Sequence, residues 1–291
     1  MYLPTFRTEV KRPPKEVVER LKEVTCATAW GIMGNITEGR QDEFFMEHIR
    51  PLSPTFRCVG PAVTIRYRPF DPREKGSWRS TGDPVMAQQW RDYHPTLNRA
   101  WLALQPGDVI VAEGHGFKDV GQFGDCLATA FKARGAAGIV TDATIRDGPF
   151  FLMLGFPAFT QGPSVPGALI HVSRDGTSRG LVAVDVNVPI LCDGVAVRPG
   201  DIVLGDMDGV MVIPVEVAEK VAEWGQAQEK LEELSRRLAL EGKPINESYM
   251  PLVKWIKAYG YEKWLDVITK YDGGQYAKTH GEDWEKHHGG T

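Results

Sequence analysis

Two aspartates and one arginine have the residue types and spacing of a metal-assisted anion site. Asp125 is separated by twenty residues from the adjacent pair Arg146 and Asp147. Carboxylate oxygens are good ligands for Mg²⁺, and the planar fork of a guanidinium matches a carboxylate or keto-acid edge. These three residues predict a site in which a divalent cation holds a small 2-oxo acid.

The residues between the two aspartates predict a helix, a turn and a buried strand. Segment 121–135 (GQFGDCLATAFKARG) has apolar residues at helical spacing, and Gly135 falls where a helix C-cap glycine belongs. Segment 136–142 (AAGIVTD) is short, apolar and β-branched, as is typical of a strand buried on both faces. Arg146 and Asp147 follow the carboxyl end of this strand, so we expect them to lie near the start of the preceding helix. That edge is where open α/β sheets bind ligands.

The first turn of the predicted helix offers an anion hole. Its N–H groups have no intrahelical acceptor, and the helix dipole favours negative charge there. We therefore predict that a substrate carboxylate binds around Gly124, Asp125, Cys126 and Leu127, with help from Arg146.

A long run of residues around this site resembles a known family. The run GDCLATAFKARGAAGIVTDATIRD, residues 124–147, is similar to the pattern GELLATAAKARGVAGVVIDGAVRD of the RraA-like family, which includes the 4-hydroxy-4-methyl-2-oxoglutarate aldolases. Asp, twenty residues and then Arg-Asp is the hallmark of that family. Shorter matches lie at 60–69 (GPAVTIRYRP), 154–162 (LGFPAFTQG) and 199–214 (PGDIVLGDMDGVMVIP), so the resemblance covers roughly residues 21–221.

The resemblance implies both a fold and a chemistry. The implied fold is a compact α/β sandwich of the swivelling β/β/α type, here with a C-terminal helical extension. The implied activity is that of a metal-dependent aldolase, which cleaves a 4-hydroxy-2-oxo acid to pyruvate and a carbonyl product and decarboxylates oxaloacetate as a side activity. Asp147 would bind Mg²⁺, Mn²⁺ or another divalent cation, while Arg146 and Asp125 would be catalytic. Homotrimers or homohexamers are implied as well.

Simpler interpretations of the same residues stay open. Asp147 could be a turn or helix-cap aspartate, Arg146 could be the ion-pair partner of Asp125 or Asp142, and Asp125 could cap its helix. Members of this fold are also described as regulators that bind and inhibit an RNA-degrading enzyme without catalysing a reaction, so a ribonuclease regulator is the alternative function.

Two positions depart from the family pattern. Phe150 occupies a position where many members have an acidic residue, and Ala29-Trp30-Gly31-Ile32 stands where Ser-Asp-Ala-Leu is usual. Both changes make the surroundings more apolar. They leave the predicted metal site intact but bear on the identity of the substrate.

The composition excludes several classes of protein. The chain has 291 residues, 42% hydrophobic and 25% charged, with a net charge of -4 and no Lys/Arg cluster, which argues against a nucleic-acid partner. We find no signal peptide and no apolar stretch long enough for a membrane span, and therefore expect a cytoplasmic protein. The four cysteines are scattered and are predicted to be reduced thiols.

The chain is predicted to contain two parts. Residues 1–216 would form the α/β catalytic domain, with strands near 158–160, 168–172, 181–184 and 210–213 and a surface loop over 69–82. Residues 217–291 would form a helical, aromatic-rich extension, whose first helix has an apolar seam and ends before Gly242. The aromatic residues after 245 predict a folded segment that covers another subunit.

Overall fold

A computed structural model describes residues 10–70, 95–168, 171–172 and 178–249. The helices in these ranges are α1 (Lys15–Leu21), α2 (Cys26–Ile36), a 3-10 helix (Gln41–Phe44), α3 (95–103), α4 (Asp125–Ala133), α5 (Gly148–Leu154), α6 (Ala218–Leu240) and α7 (Ile245–Ser248). The strands are β1 (Phe45–Met46), β2 (Arg50–Pro51), β3 (Cys58–Pro69), β4 (Val109–Glu113), β5 (Gly138–Thr141), β6 (Ala158–Thr160), β7 (His171–Val172), β8 (Ser178–Arg179), β9 (Leu181–Val186), β10 (Ile190–Cys192), β11 (Val195–Val197), β12 (Ile202–Asp206) and β13 (Gly209–Ile213).

One large mixed sheet organises these elements. Its strand order is β1-β13-β12-β3-β4-β5-β6-β2, and β9 also pairs with β3. The central strands β3, β4, β5 and β6 are parallel to one another, whereas β12, β13 and β9 join them through antiparallel pairs. The carboxyl ends of the parallel strands therefore meet at one edge of the sheet, where ligands of such sheets bind.

Both faces of the parallel strands are buried, and each face packs against a different layer. Along β4, Ile110 and Ala112 belong to one apolar cluster, whereas Val109 and Val111 belong to the other. The first cluster includes side chains of α3, α4 and α5, and the second includes the β10–β11 hairpin. This layered arrangement confirms the predicted α/β sandwich. It also explains the continuous apolar runs of the parallel strands, since both faces of these strands are covered.

Helix α4 is shorter than the sequence predicted. The expected end is confirmed, since Gly135 has φ 97° and directly follows the C-cap residue Arg134. The expected start at residue 121 is wrong. The chain over 121–124 is extended because its backbone pairs with neighbouring segments, and the helix begins at Asp125.

The remaining predicted elements have mixed outcomes. The strands expected near 158–160, 181–184 and 210–213 are confirmed as β6, β9 and β13, and all four cysteines are free. Helices α2, α3 and α5 were not predicted. Helix α5 is short and carries a proline in its first turn, where the missing N–H costs nothing, so the Gly-Pro sequence there marks a helix start and not a loop.

The C-terminal part is described through residue 249. The chain divides into two compact units, Met1–Ala222 and Glu223–Thr291. Helix α6 confirms the predicted helix, which ends before Gly242 at φ 84°. The predicted aromatic segment after 249, most of the predicted loop over 69–82 and part of the predicted strand over 168–172 lie outside the described residues. None of the helices in the described ranges has the length and apolar character needed to cross a bilayer.

The sheet should require a glycine at position 60 in β3. A methyl group on Gly60 would lie 1.9 Å from the carbonyl oxygen of Gly107, so Gly60→Ala should force the backbone apart and lower the free energy of unfolding by about 1–3 kcal/mol. Gly31→Ala in α2 is the control, because a methyl group there has open space and alanine favours helix. Urea denaturation should separate the two variants, and equal midpoints would contradict this account.

Candidate active site at the start of helix α4

Three chain segments pair in parallel to form the frame of the site. Residues 121–124 run between 144–146 on one side and 166–167 on the other, with bridges from Gly121 to Thr144 and to Gly167. The frame is held by backbone hydrogen bonds from Gly121 N–H to Pro166 O at 2.9 Å, from Gln122 N–H to Thr144 O at 2.8 Å and from Arg146 N–H to Phe123 O at 2.9 Å. The structure thus confirms that the Arg-Asp turn lies beside the residues that start α4.

Glycines of the other two segments allow this close approach to Arg146. A methyl group on Gly121 would lie 2.9 Å from Arg146 Cβ, and one on Gly124 would lie 3.3 Å from Arg146 Cγ. On Gly167 it would lie 3.2 Å from Nη1 of the same guanidinium. The Arg146 side chain therefore lies along glycine backbone on two segments. The roles of Gly121 and Gly167 were not predicted from the sequence.

Asp147 is held next to Arg146 in an unusual backbone conformation. It is the N-cap residue of α5 with φ 58° and ψ 34°, a left-handed conformation that aspartate tolerates better than most residues, but its side chain does not cap the helix. Its Oδ2 instead accepts a hydrogen bond from Arg146 Nε at 2.9 Å. The Arg146 and Asp147 side chains are 48% and 31% exposed, so the pair is open to a ligand.

Asp125 begins helix α4 but does not cap it. The N-cap residue is Gly124, whose carbonyl oxygen accepts the Ala128 N–H at 3.0 Å, so the cap interpretation of Asp125 is wrong. In the described part of the chain, the N–H groups of Asp125, Cys126 and Leu127 donate to no protein acceptor, which leaves them available to an anion. A hydrogen bond to Asp125 raises the pKa of the exposed Cys126 thiol, which disfavours the thiolate as a ligand or nucleophile.

Asp142 serves a different purpose from the site residues. Its Oδ1 accepts the Gly114 N–H at 2.5 Å and its Oδ2 accepts the Asp193 N–H at 3.3 Å, while burial raises the pKa of this carboxyl. Among the described carboxylates, Arg146 pairs with Asp147 and with neither Asp125 nor Asp142. The ion pair with Asp125 or Asp142 that the sequence left open is therefore wrong.

A buried amide below the frame was missed from the sequence. Gln122 is 1% exposed; its Oε1 accepts the Thr141 hydroxyl and its Nε2 donates to the Glu113 carbonyl at 3.3 Å. These bonds tie the frame to the ends of β4 and β5. A polar residue inside an apparent helical run gave no hint of burial, because only the tertiary pairing turns its side chain inward.

The donor set suits a hard divalent cation. Across the ranges that the structure describes, no three His, Cys, Asp or Glu side chains come together to bind a metal. Mg²⁺ needs no such cage, because one or two carboxylates are enough when water and substrate oxygens complete the shell. Asp147, partly exposed and adjacent to Gly124, and Asp125 at the first position of α4 fit that requirement.

Comparisons with known proteins identify the family and the fold of the chain. The sequence profile of the family described as RraA-like (Aldolase/RraA) matches residues 27–212. A relative from Halalkalibacterium halodurans, whose name marks it as a candidate 4-hydroxy-4-methyl-2-oxoglutarate aldolase, is 31% identical over 189 residues, 65% of this chain and 75% of its own length. The solved structure of RraAS2 from Streptomyces coelicolor, described as an unusual member of the RNase ES inhibitor RraA protein family, superimposes with a TM-score of 0.63 at 29% identity, covering 78% of this chain and 99% of that one. An uncharacterised protein from Pseudomonas syringae shares the fold at 21% identity and a TM-score of 0.63, covering 82% and 98% of the two chains.

Gly124 should be essential to the geometry of the pair. A methyl group at this position would lie 2.8 Å from Asp147 Oδ2, so Gly124→Ala should push the carboxylate away and break its bond to Arg146 Nε. Gly148→Ala is the matched control, because its methyl group would make an ordinary contact with Pro163 at 3.9 Å. Crystal structures of both variants test this expectation, and an unchanged Arg146–Asp147 distance in Gly124→Ala would contradict it.

Proposed function

The chain belongs to the RraA-like family, and on that premise we propose that it is a metal-dependent carbon–carbon lyase. It would cleave a 4-hydroxy-2-oxo acid to pyruvate and a second carbonyl compound. The observation that carries the proposal is the Arg146–Asp147 pair at 2.9 Å, held against the start of α4. A guanidinium, a partly exposed carboxylate and unpaired helix N–H groups are the components that a bound 2-oxo acid requires.

Substrate binding follows from the helix start and the guanidinium. The N–H groups of Asp125, Cys126 and Leu127 would donate to the substrate carboxylate, with the dipole of α4 adding to the attraction. Because Arg146 uses Nε to bind Asp147, its Nη groups are left to donate to the keto acid. Together these donors would fix the orientation of the bond to be broken.

Asp147 would bind Mg²⁺ or Mn²⁺ directly, which leaves Asp125 available to act on the substrate. When bound, such a cation supplies Lewis-acid polarisation of the keto carbonyl. Arg146 adds a fixed positive charge beside the keto oxygen, where negative charge develops as the bond breaks. No lysine Schiff base enters the scheme.

The bond cleavage can be assigned to residues of this chain. Asp125, the carboxylate not engaged by Arg146, would accept the proton of the C4 hydroxyl, directly or through one water. The C4–O bond becomes a carbonyl, the C3–C4 bond breaks, and its electron pair forms the pyruvate enolate. Return of the proton to C3 yields pyruvate. Loss of CO₂ from oxaloacetate gives the same enolate, so oxaloacetate decarboxylation is the expected side activity.

A ribonuclease regulator is the alternative function. It is supported by the match to RraAS2, which is 29% identical and is described as an unusual member of the RNase ES inhibitor RraA protein family. An absence of turnover with every 2-oxo acid, together with inhibition of a ribonuclease by the purified chain, would establish it. Assembly as a homotrimer or homohexamer and a cytoplasmic location stay predictions.

Pyruvate release provides the central test. The purified chain should release pyruvate from a panel of 4-hydroxy-2-oxo acids, and a chelator should abolish the release until Mg²⁺ is restored. Asp147→Ala should abolish activity without unfolding the protein, because the side chain is partly exposed and caps no helix, and the left-handed backbone costs alanine only about 1–2 kcal/mol. Asp208→Ala, an exposed aspartate in the β12–β13 turn, serves as the control. Full activity of Asp147→Ala at saturating Mg²⁺ would refute the metal assignment.

Arg146→Lys should reduce turnover much more than stability. Lysine keeps the charge but loses the fork that binds Asp147 and substrate together, so kcat should fall by roughly 10²- to 10³-fold, as when one transition-state donor is removed. The melting temperature should change little, because a pair exposed on both sides contributes little to folding. A variant that unfolds readily yet keeps its kcat would instead make Arg146 a structural residue.

A further inference from the structure

Gln122 occupies an enclosed polar position below the frame. The residue is 1% exposed, and its side-chain amide lies between the ends of the parallel strands β4 and β5. A methyl group on Gly114 would lie 3.0 Å from Gln122 Oε1 and 2.4 Å from the Cβ atom of Ala143. The gap between the amide and Gly114 is therefore too narrow for a water molecule, so the amide bonds directly to protein groups.

A short chain of hydrogen bonds fixes the orientation of this amide. The Glu113 carbonyl oxygen can only accept, so it faces Nε2 of Gln122 at 3.3 Å and leaves Oε1 to face Thr141. The Thr141 hydroxyl donates to Oε1 and accepts the Ala143 N–H at 3.0 Å. The two ends of the amide thus hold two different strands, because Glu113 ends β4 and Thr141 ends β5.

Two backbone bonds carry the position of Gln122 to the Arg-Asp turn. Its own N–H donates to the Thr144 carbonyl at 2.8 Å. The carbonyl of the next residue, Phe123, accepts the Arg146 N–H at 2.9 Å. The strand ends hold the amide, the amide holds the frame, and the frame holds the backbone of Arg146. A shift of the amide would therefore move the backbone from which the guanidinium extends.

We propose that Gln122 is a positioning residue of the lyase reaction, which holds Arg146 where turnover requires it. The proposal rests on the lyase function above and deepens it. Gln122 is too deeply buried to touch the substrate, so its influence passes through the backbone to Arg146 and to the start of α4, three residues later. A misplacement of about 1 Å in an active site can lower a rate by roughly 10²-fold, so a small shift is enough.

Loss of both amide bonds is the first test. Gln122→Met keeps an unbranched side chain of about the same size but has neither the donor nor the strong acceptor. The kcat of the folded variant should fall by roughly 10- to 100-fold. Thr64→Val is the matched control, because Thr64 is fully buried in β3 and its hydroxyl donates to the Val188 carbonyl at 2.6 Å. It should lower the melting temperature comparably and leave kcat unchanged. A wild-type kcat in Gln122→Met would overturn the proposal.

Gln122→Glu adds a pH profile that a purely structural role would not produce. A neutral carboxyl group has the shape of the amide and can make both bonds, whereas a carboxylate cannot donate to the Glu113 carbonyl. Burial raises the pKa of the Glu113 and Asp142 carboxyls at the same strand ends, and it should raise the pKa of the new carboxyl as well. Below that raised pKa the kcat should match wild type. As the pH rises through it, the ratio of variant to wild-type kcat should fall by roughly tenfold or more.

The folded fraction at each pH separates positioning from stability. Circular dichroism should show the Gln122→Glu variant still folded at the pH where its kcat has fallen. A kcat ratio that does not change with pH would overturn the proposal. So would a loss of activity that only follows unfolding, because the amide would then serve the stability of the fold alone.

Hydrogen exchange at the Arg146 N–H gives a measurement that needs no turnover. The bond to the Phe123 carbonyl should protect this amide, and Gln122→Met should speed its exchange by roughly tenfold. The Ile139 N–H in β5, which donates to the Pro157 carbonyl at 2.9 Å, is the internal control and should be affected far less. If no 2-oxo acid is cleaved, the lyase function fails, and this comparison still decides whether Gln122 holds the turn. Unchanged exchange at Arg146 would overturn the proposal.

Discussion

The candidate site depends on the parallel pairing of residues 121–124 with the Arg-Asp turn. The hydrogen bond from Arg146 N–H to the Phe123 carbonyl fixes the turn against the residue two places before α4 begins. The backbone pairing therefore places the side chains of Arg146 and Asp147 beside the start of the helix. The frame in turn is anchored to the strand ends through buried Gln122, so the sheet edge positions the chemistry.

This pairing explains why small residues and an unusual conformation gather in one place. Segments that approach this closely leave no room for a Cβ atom at Gly121 or Gly124. The left-handed conformation of Asp147 lets the chain turn from the frame into α5 within one residue, while its carboxylate stays beside Arg146. Such conformations are held only where the surroundings determine them, and they are concentrated at functional sites.

The electrostatics of the site separate two groups of carboxylates. Asp142 is buried, and its two oxygens are used by backbone N–H groups, so it holds the loops after β4 and β10. Asp125 and Asp147 are partly exposed and lie beside unpaired helix N–H groups. All three aspartates belong to one short run of sequence, yet only their depth in the fold distinguishes a structural carboxylate from those available to a cation and a substrate.

The sequence by itself determined the family, the sandwich class, the buried strand β5 and the proximity of Asp125 to Arg146 and Asp147. These follow from local apolar patterns and from the rule that parallel strands present their carboxyl ends together. Only the tertiary structure decided where α4 begins, that Gln122 is buried and that Arg146 pairs with Asp147. The reason is physical: Gly121 and Gly124 weaken a helix without selecting another conformation, and it is pairing with segments more than twenty residues away that makes residues 121–124 extended.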